Sequence, residues 1–269
     1  MSGNPKQQVA STPFVDPRYW SFSITGWVDH PLAWSLQELT ALPTVAFTLP
    51  LVCAAPTPLQ QLPPQRHWRG IHLRRLLSQI SMREQARYAR FWAADGYAAV
   101  LPLNALAGCF IAFDADERTL IPEEGAPARL LIPGLAGYKQ VKWVERLELI
   151  DHPSGGFWET RGWSLEGQLP TVITVTSDGT RHPANVAPSL HGSALSAYPI
   201  RDIALSIDYR DWMPSTVTIH SAPSDTWTKV SWSSEWQPPS SDSVSLRVRL
   251  TDANGEQHYH TQQLRFAEG

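Results

Sequence analysis

Apolar residues recur along this chain at short, mostly alternating intervals, with few long helical stripes. The run 22–28, carrying Phe22, Ile24 and Val28, predicts a strand. Ser35 with Glu38 three positions later forms a capping-box pattern and opens a short helix that stops before Pro43. Residues 45–53 predict a second strand, restricted by Pro50 to an edge or an end. The proline-rich stretch 54–67 predicts an irregular loop. Ile71, Leu73, Leu76, Leu77 and Ile80 follow a helical period, so a helix is expected over 71–80. Residues 88–94 and 97–101 flank Asp95-Gly96, a strong hairpin signal. Further strands are expected at 109–113, 130–132 and 141–150.

The second half differs. From Thr171 onward no helical period is found, and short alternating runs occur at 172–176, 203–209, 216–220, 243–250 and 258–266. Ser177-Asp178-Gly179 and Asp252-Ala253-Asn254-Gly255 supply turn signals between some of them. Regularly punctuated short strands predict a β-sandwich of immunoglobulin type. Trp212, Trp227, Trp232 and Trp236 suit core or edge packing, with a subunit contact as the alternative. The expected organisation is an arm over 1–20, an α+β domain over 21–165 and an all-β immunoglobulin-like sandwich over 166–269. The boundary falls in the Gly- and Pro-containing segment 162–170.

Composition narrows the function classes. With 42% hydrophobic and 17% charged residues, a core can form and disorder is not the default. The net charge of −3 lacks the cationic excess of a nucleic-acid binder. No apolar run approaches the roughly 20 residues of a membrane helix. The segment 1–14 has no apolar core and no paired arginines, so a cytoplasmic location is expected, or a periplasmic one if a signal was trimmed. Cys53 and Cys109 are the two cysteines, and they form no zinc-finger or haem-attachment spacing. A single disulfide stays open.

The most informative stretch is 127–143. The apolar run Leu130-Leu131-Ile132 stops at Pro133-Gly134, and Gly137 follows, with Arg129 before it and Lys139 and Lys142 after it. Glycines allow close backbone approach, successive N–H groups can form an anion nest, and basic side chains suit a phosphate. A strand, a turn and a strand with solvated lysines would give the same spacing.

Several motifs in order resemble the sulfite-oxidase-like molybdopterin oxidoreductases, over roughly residues 20–265. They are Gly26-Trp27-Val28-Asp29-His30-Pro31; Leu36 to Pro43 with leucines at 36, 39 and 42; a strand ending at Cys53; and Trp68-Arg69-Gly70. Asp95-Gly96-Tyr97, Leu101-Pro102-Leu103, the block Gly125 to Gly134, Lys139 to Trp143, and Phe157 to Trp163 follow. The second half resembles the family's immunoglobulin-like dimerisation domain more loosely.

The resemblance implies that Cys53 binds molybdenum beside the dithiolene sulfurs of molybdopterin, a role that suits a soft thiolate. By its surroundings alone Cys53 reads first as a buried structural cysteine, and Cys109 keeps that reading. The resemblance gives Tyr97 a hydroxyl directed at the substrate pocket, and gives Arg129, Lys139 and Lys142, with backbone at Gly134 and Gly137, the pterin and phosphate. His72, and His67 with it, stand near the cofactor edge or in solvent. Trp143 and Trp158 are expected to pack. The implied activity is two-electron oxygen-atom transfer on a small molecule, with no haem or iron–sulfur cluster in this chain, a separate electron-transfer partner and a homodimer through the C-terminal domain. No nucleic acid and no membrane is involved.

The family pattern breaks at three places. Residues 13–18 lack the upstream arginine motif, Ala54-Ala55-Pro56-Thr57 replaces the usual sequence after the cysteine, and Glu124 stands where a histidine is usual. Each change removes a cationic or hydrogen-bonding group, so a substrate other than sulfite is expected, and Glu124 is expected to repel a phosphate. A degenerate, non-catalytic member acting as a binding or scaffold protein is the alternative.

Overall fold

A computed structural model describes residues 12–52, 65–169, 171–176, 189–196, 198–220, 228–236 and 243–265. The chain forms two compact units, the first ending at Leu169 and the second following it.

The first unit is built on two sheets. One has the order β2-β1-β10-β5-β6, from β1 (Ser21–Gly26), β2 (Leu32–Ser35), β5 (Tyr88–Ala93), β6 (Ala98–Pro102) and β10 (Val144–Ile150). Only the β1–β10 pairing in it is parallel. The other runs β3-β4-β7-β8, from β3 (Val45–Leu49), β4 (Arg66–His72), β7 (Phe110–Ala115) and β8 (Arg118–Thr119), with β9 (Arg129–Leu131) also pairing to β7. Phe22, Ile24, Phe91, Leu147, Ile71, Ile111 and Leu130 come from both sheets into one buried core. Fully burying each such side chain contributes about 1.5–3 kcal/mol.

The expected α+β class is corrected: the described structure is mostly β. Helix α1 (Leu36–Ala41) forms at the capping box, where Ser35 Oγ accepts the Glu38 N–H at 3.2 Å and the Glu38 carboxylate accepts the Ser35 N–H at 2.7 Å. Helix α2 is only Arg74–Leu77, not 71–80. Residues 66–72 instead form β4, between β3 and β7, so strand pairing prevails over a helical spacing too short to decide. Trp68 and Gly70 face inward while His67 and Arg69 are exposed, a strand alternation that begins at Arg66 and His67, the last two residues of the stretch expected to be a loop. The Asp95-Gly96 hairpin forms, with Gly96 at φ 82°.

The second unit consists of two antiparallel four-stranded sheets. One is β11-β12-β16-β15, from β11 (Val172–Val175), β12 (Ser189–Ser196), β15 (Thr216–Ile219) and β16 (Thr228–Glu235). The other is β14-β13-β17-β18, from β13 (Ile200–Ile207), β14 (Met213–Pro214), β17 (Ser243–Asp252) and β18 (Gln257–Arg265). Trp232 and Val230 from the first and Leu205, Leu246 and Val248 from the second share one core. Trp236 is also buried, Trp212 lies against Tyr259 with ring centroids 6.1 Å apart, and Trp227 lies outside the described residues.

Candidate cofactor site

The glycine stretch leaves β9 through a turn in which Gly134 has φ 77°, a conformation that side chains disfavour. Buried Gln140 fills the turn: its Oε1 accepts the Ile132 N–H at 2.6 Å and its amide donates to Ile132 O and Leu135 O at 2.7 and 2.8 Å. The Gly137 N–H donates to Val52 O at 2.7 Å. Val52 immediately precedes Cys53 in the chain, so the glycine loop is hydrogen-bonded to the segment that leads into that cysteine. Cys53 itself lies outside the described residues. On the loop's other side, Ala136 N–H donates to Gly167 O and Leu169 N–H to Gly134 O. The N–H groups of residues 135, 136, 137, 139 and 140 all reach protein carbonyls. The loop is therefore braced, not an open nest.

Tyr97 and Lys139 meet beside it. Tyr97 is 5% exposed, and its hydroxyl donates to Tyr138 O at 2.5 Å. Burial first, then Glu159, Tyr138 and Asp95, push its pKa upward, so it stays a neutral O–H donor at physiological pH. Lys139 is fully buried; its ammonium donates to Val100 O at 2.6 Å and pairs with Glu159 at 2.5 Å. Burial lowers the lysine's pKa and Glu159 opposes that shift. The sequence placed Lys139 on a phosphate; the fold commits its charge to Glu159, a residue the sequence reading did not single out.

A second basic group surrounds Glu124. Arg129, 3% exposed, donates to Glu124 O at 2.7 Å and to Gln140 O at 3.4 Å, and its guanidinium lies 5.3 Å from the Trp68 ring. Its Nε is buried with no acceptor, and among the described residues no carboxylate pairs with it. Burial, with Arg66 nearby, lowers its pKa to about 9, which still leaves it cationic at neutral pH. The Glu124 carboxylate is held by Arg66 at 2.8 Å and bidentately by Arg118, also at 2.8 Å, and accepts the Ile121 N–H at 3.2 Å. Burial alone would raise its pKa, but these bonds prevail and hold it at about 2. Lys142 donates to Glu123 O at 2.7 Å. Burial and Arg129 lower the Lys142 pKa against the pull of Asp95, Glu123 and Glu124.

His72 Nδ1 is buried without a partner, and the ring lies 4.3 Å from that of Phe110. Burial, then Arg74 and Arg75, lower its pKa, so the imidazole is neutral. His67 Nδ1 lies 3.2 Å from Thr48 Oγ1. Cys109 is fully buried, with its thiol pushed up by burial. Trp143 donates to Pro122 O at 2.7 Å, and Trp158 packs on Trp163 with centroids 4.5 Å apart.

A family model described as the oxidoreductase molybdopterin binding domain matches residues 9–158, more than half of the chain. The chain belongs to that family. Among curated relatives, the uncharacterized oxidoreductase YuiH of Bacillus subtilis is 26% identical over 156 residues, 57% of this chain and 77% of that protein. The NADH nitrate reductase of Volvox carteri is 27% identical over 165 residues, 50% of this chain but only 19% of that enzyme. The putative protein-methionine-sulfoxide reductase subunit YedZ1 of Azospira oryzae is 26% identical over 155 residues, 57% of each. The sulfane dehydrogenase SoxCD from Paracoccus pantotrophus superposes with a TM-score of 0.63 and 21% identity, covering 92% of this chain and 70% of that one, a likeness of fold. This chain is thus a molybdopterin-dependent oxidoreductase of the sulfite-oxidase-like group.

The donor set of this molybdopterin-binding domain fits an anionic cofactor at one place. Arg129 is a buried cation with an unsatisfied N–H, and the ammonium of its neighbour Lys142 donates to a carbonyl. A buried charge without a counter-ion is costly, and an entering anion would relieve that cost.

Proposed function

We propose that this oxidoreductase ligates molybdenum through Cys53 and holds molybdopterin against Arg129, Lys142 and the edge near His72. Gly134 and Gly137 then set the backbone against the Cys53 segment, and Lys139 fixes the loop from within. When bound, the cofactor would supply two-electron oxygen-atom exchange with a small substrate, the oxygen coming from water in the oxidising direction or leaving as water, with two protons and two electrons, in the reducing direction. Tyr97 stays protonated and offers its O–H beside residue 138, where it can reorient from Tyr138 O toward a reacting oxygen. The observation that carries this reading is the Arg129 Nε, buried and without an acceptor.

The substrate is not sulfite in this reading, because residues 13–18 carry no arginine motif to hold that anion. In this reading electrons pass to or from an electron-transfer partner distinct from the molybdopterin-binding domain. A homodimer through the second unit belongs to the same reading; sedimentation of the purified chain at a monomer mass would remove it.

Metal and pterin analysis of protein made in a molybdopterin-producing host is the direct test. One molybdenum per chain is expected, and Cys53→Ser is expected to abolish oxidoreductase activity while Cys109→Ser keeps it. Folded protein without molybdenum or pterin, made where cofactor synthesis is intact, would favour the binding or scaffold role instead.

A further inference from the structure

The turn between β17 and β18 runs Asp252-Ala253-Asn254-Gly255-Glu256, and His258 follows on β18. Asp252 is fully buried, and its Oδ1 accepts the N–H groups of Asn254 at 2.9 Å and Glu256 at 3.0 Å. Those two bonds fix the carboxylate. Its other oxygen, Oδ2, is buried and has no hydrogen-bond partner. His258 Nε2 is also buried and unpartnered, and it lies 3.6 Å from Asp252 Oδ2.

That gap is too long for a hydrogen bond. It is close to the edge of a tetrahedron around zinc, whose N and O ligands lie about 2.0–2.2 Å from the metal, giving an edge of roughly 3.4 Å. The exposed Glu256 supplies a third ligand: ligand atoms of the three residues all lie within 4.8 Å of one another. An exposed carboxylate on a turn can swing the remaining distance. One imidazole with two carboxylates suits zinc-type dications, whereas calcium and magnesium prefer all-oxygen shells. The two backbone N–H bonds to Oδ1 orient the ligand in the way outer partners orient established metal ligands.

We infer that Asp252, Glu256 and His258 bind one zinc-type dication in the second unit, with water completing its shell. The ion would satisfy both orphaned atoms and tie the turn to β18. The inference does not depend on molybdopterin.

The test is a zinc titration of the full chain, freed of metal by a chelator, against a chromophoric competitor. One zinc is expected at this site, weakened about tenfold or more by His258→Gln and by Glu256→Gln. Zinc is expected to raise the thermal midpoint of the unsubstituted chain but not of His258→Gln, and calcium or magnesium to leave it unchanged. Glu256 is exposed, so Glu256→Gln keeps the fold and the experiment stays decisive if His258→Gln does not. No zinc bound, or zinc bound equally well by folded Glu256→Gln, overturns the site. Zinc held by Cys53 or by other histidines would survive both substitutions and would count against it.

Discussion

Two buried cations lie ten residues apart in the chain and are treated in opposite ways. Lys139 is matched by Glu159 at 2.5 Å and by Val100 O, so its charge is balanced inside the fold. Arg129 meets only carbonyls, while the nearest carboxylate, Glu124, is taken by Arg66 and Arg118. Both look equally fit for a phosphate by residue type. A balanced cation belongs to the scaffold, whereas the unbalanced one leaves a buried charge that the proposed cofactor anion would neutralise. The fold also removes the expected conflict at Glu124: a carboxylate already neutralised by two guanidinium groups does not repel a phosphate as a bare one would.

The largest effect should come from breaking the balanced pair. Lys139→Met leaves Glu159 buried without its counter-ion and is expected to destabilise the first unit by about 3–5 kcal/mol in urea unfolding. Lys139→Met with Glu159→Gln should recover at least half of that loss, because the glutamine oxygen can still accept the Val100 N–H. If the double variant is no better than the single, the charge balance is not what holds this region.

Arg129→Met should do the reverse. Its effect on stability is expected to be smaller than that of Lys139→Met, because an unpaired buried charge disappears. Its effect on pterin retention should be about 1.5–3 kcal/mol, roughly a ten- to hundredfold loss of affinity, read by fluorescence of released pterin. Unchanged pterin content would dismiss Arg129 as the anion partner.

Glu124 gives the smallest and most pH-dependent effect. Its folded pKa of about 2 lies below the ordinary 4.5, so its stabilisation is complete above 4.5 and is lost as pH falls toward 2. Glu124→Gln should flatten that part of the acid limb by about 1 kcal/mol, a modest figure because Arg118 is half exposed. An acid limb of unchanged steepness would show that the clamp contributes nothing.

What could be read in advance followed the range of the interactions. The Ser35–Glu38 box and the Asp95-Gly96 turn were legible because their hydrogen bonds close within a few residues. The helix expected over 71–80 forms only as α2 (Arg74–Leu77), and residues 71 and 72 go to β4, which is set by partners on β3 and β7 outside any local window. Strand β16 carried a usable signal, the inward alternation of Val230, Trp232 and Ser234, that was not read. Strand β12, with small residues and Gly192, carried little. Arg66 was hidden in a stretch taken for loop, and its bond to Glu124 spans 58 positions.

The family was legible from motifs kept in order along the chain, and so were the residue types available for a cofactor. Which cation stays unpaired was settled by the fold, because it depends on Glu159 being carried against Lys139 and on Arg66 and Arg118 claiming the Glu124 carboxylate beside Arg129. Desolvation makes that small geometric difference matter: once buried, a balanced charge is stable within the fold, while an unbalanced one stays costly until an anion of the kind proposed reaches it.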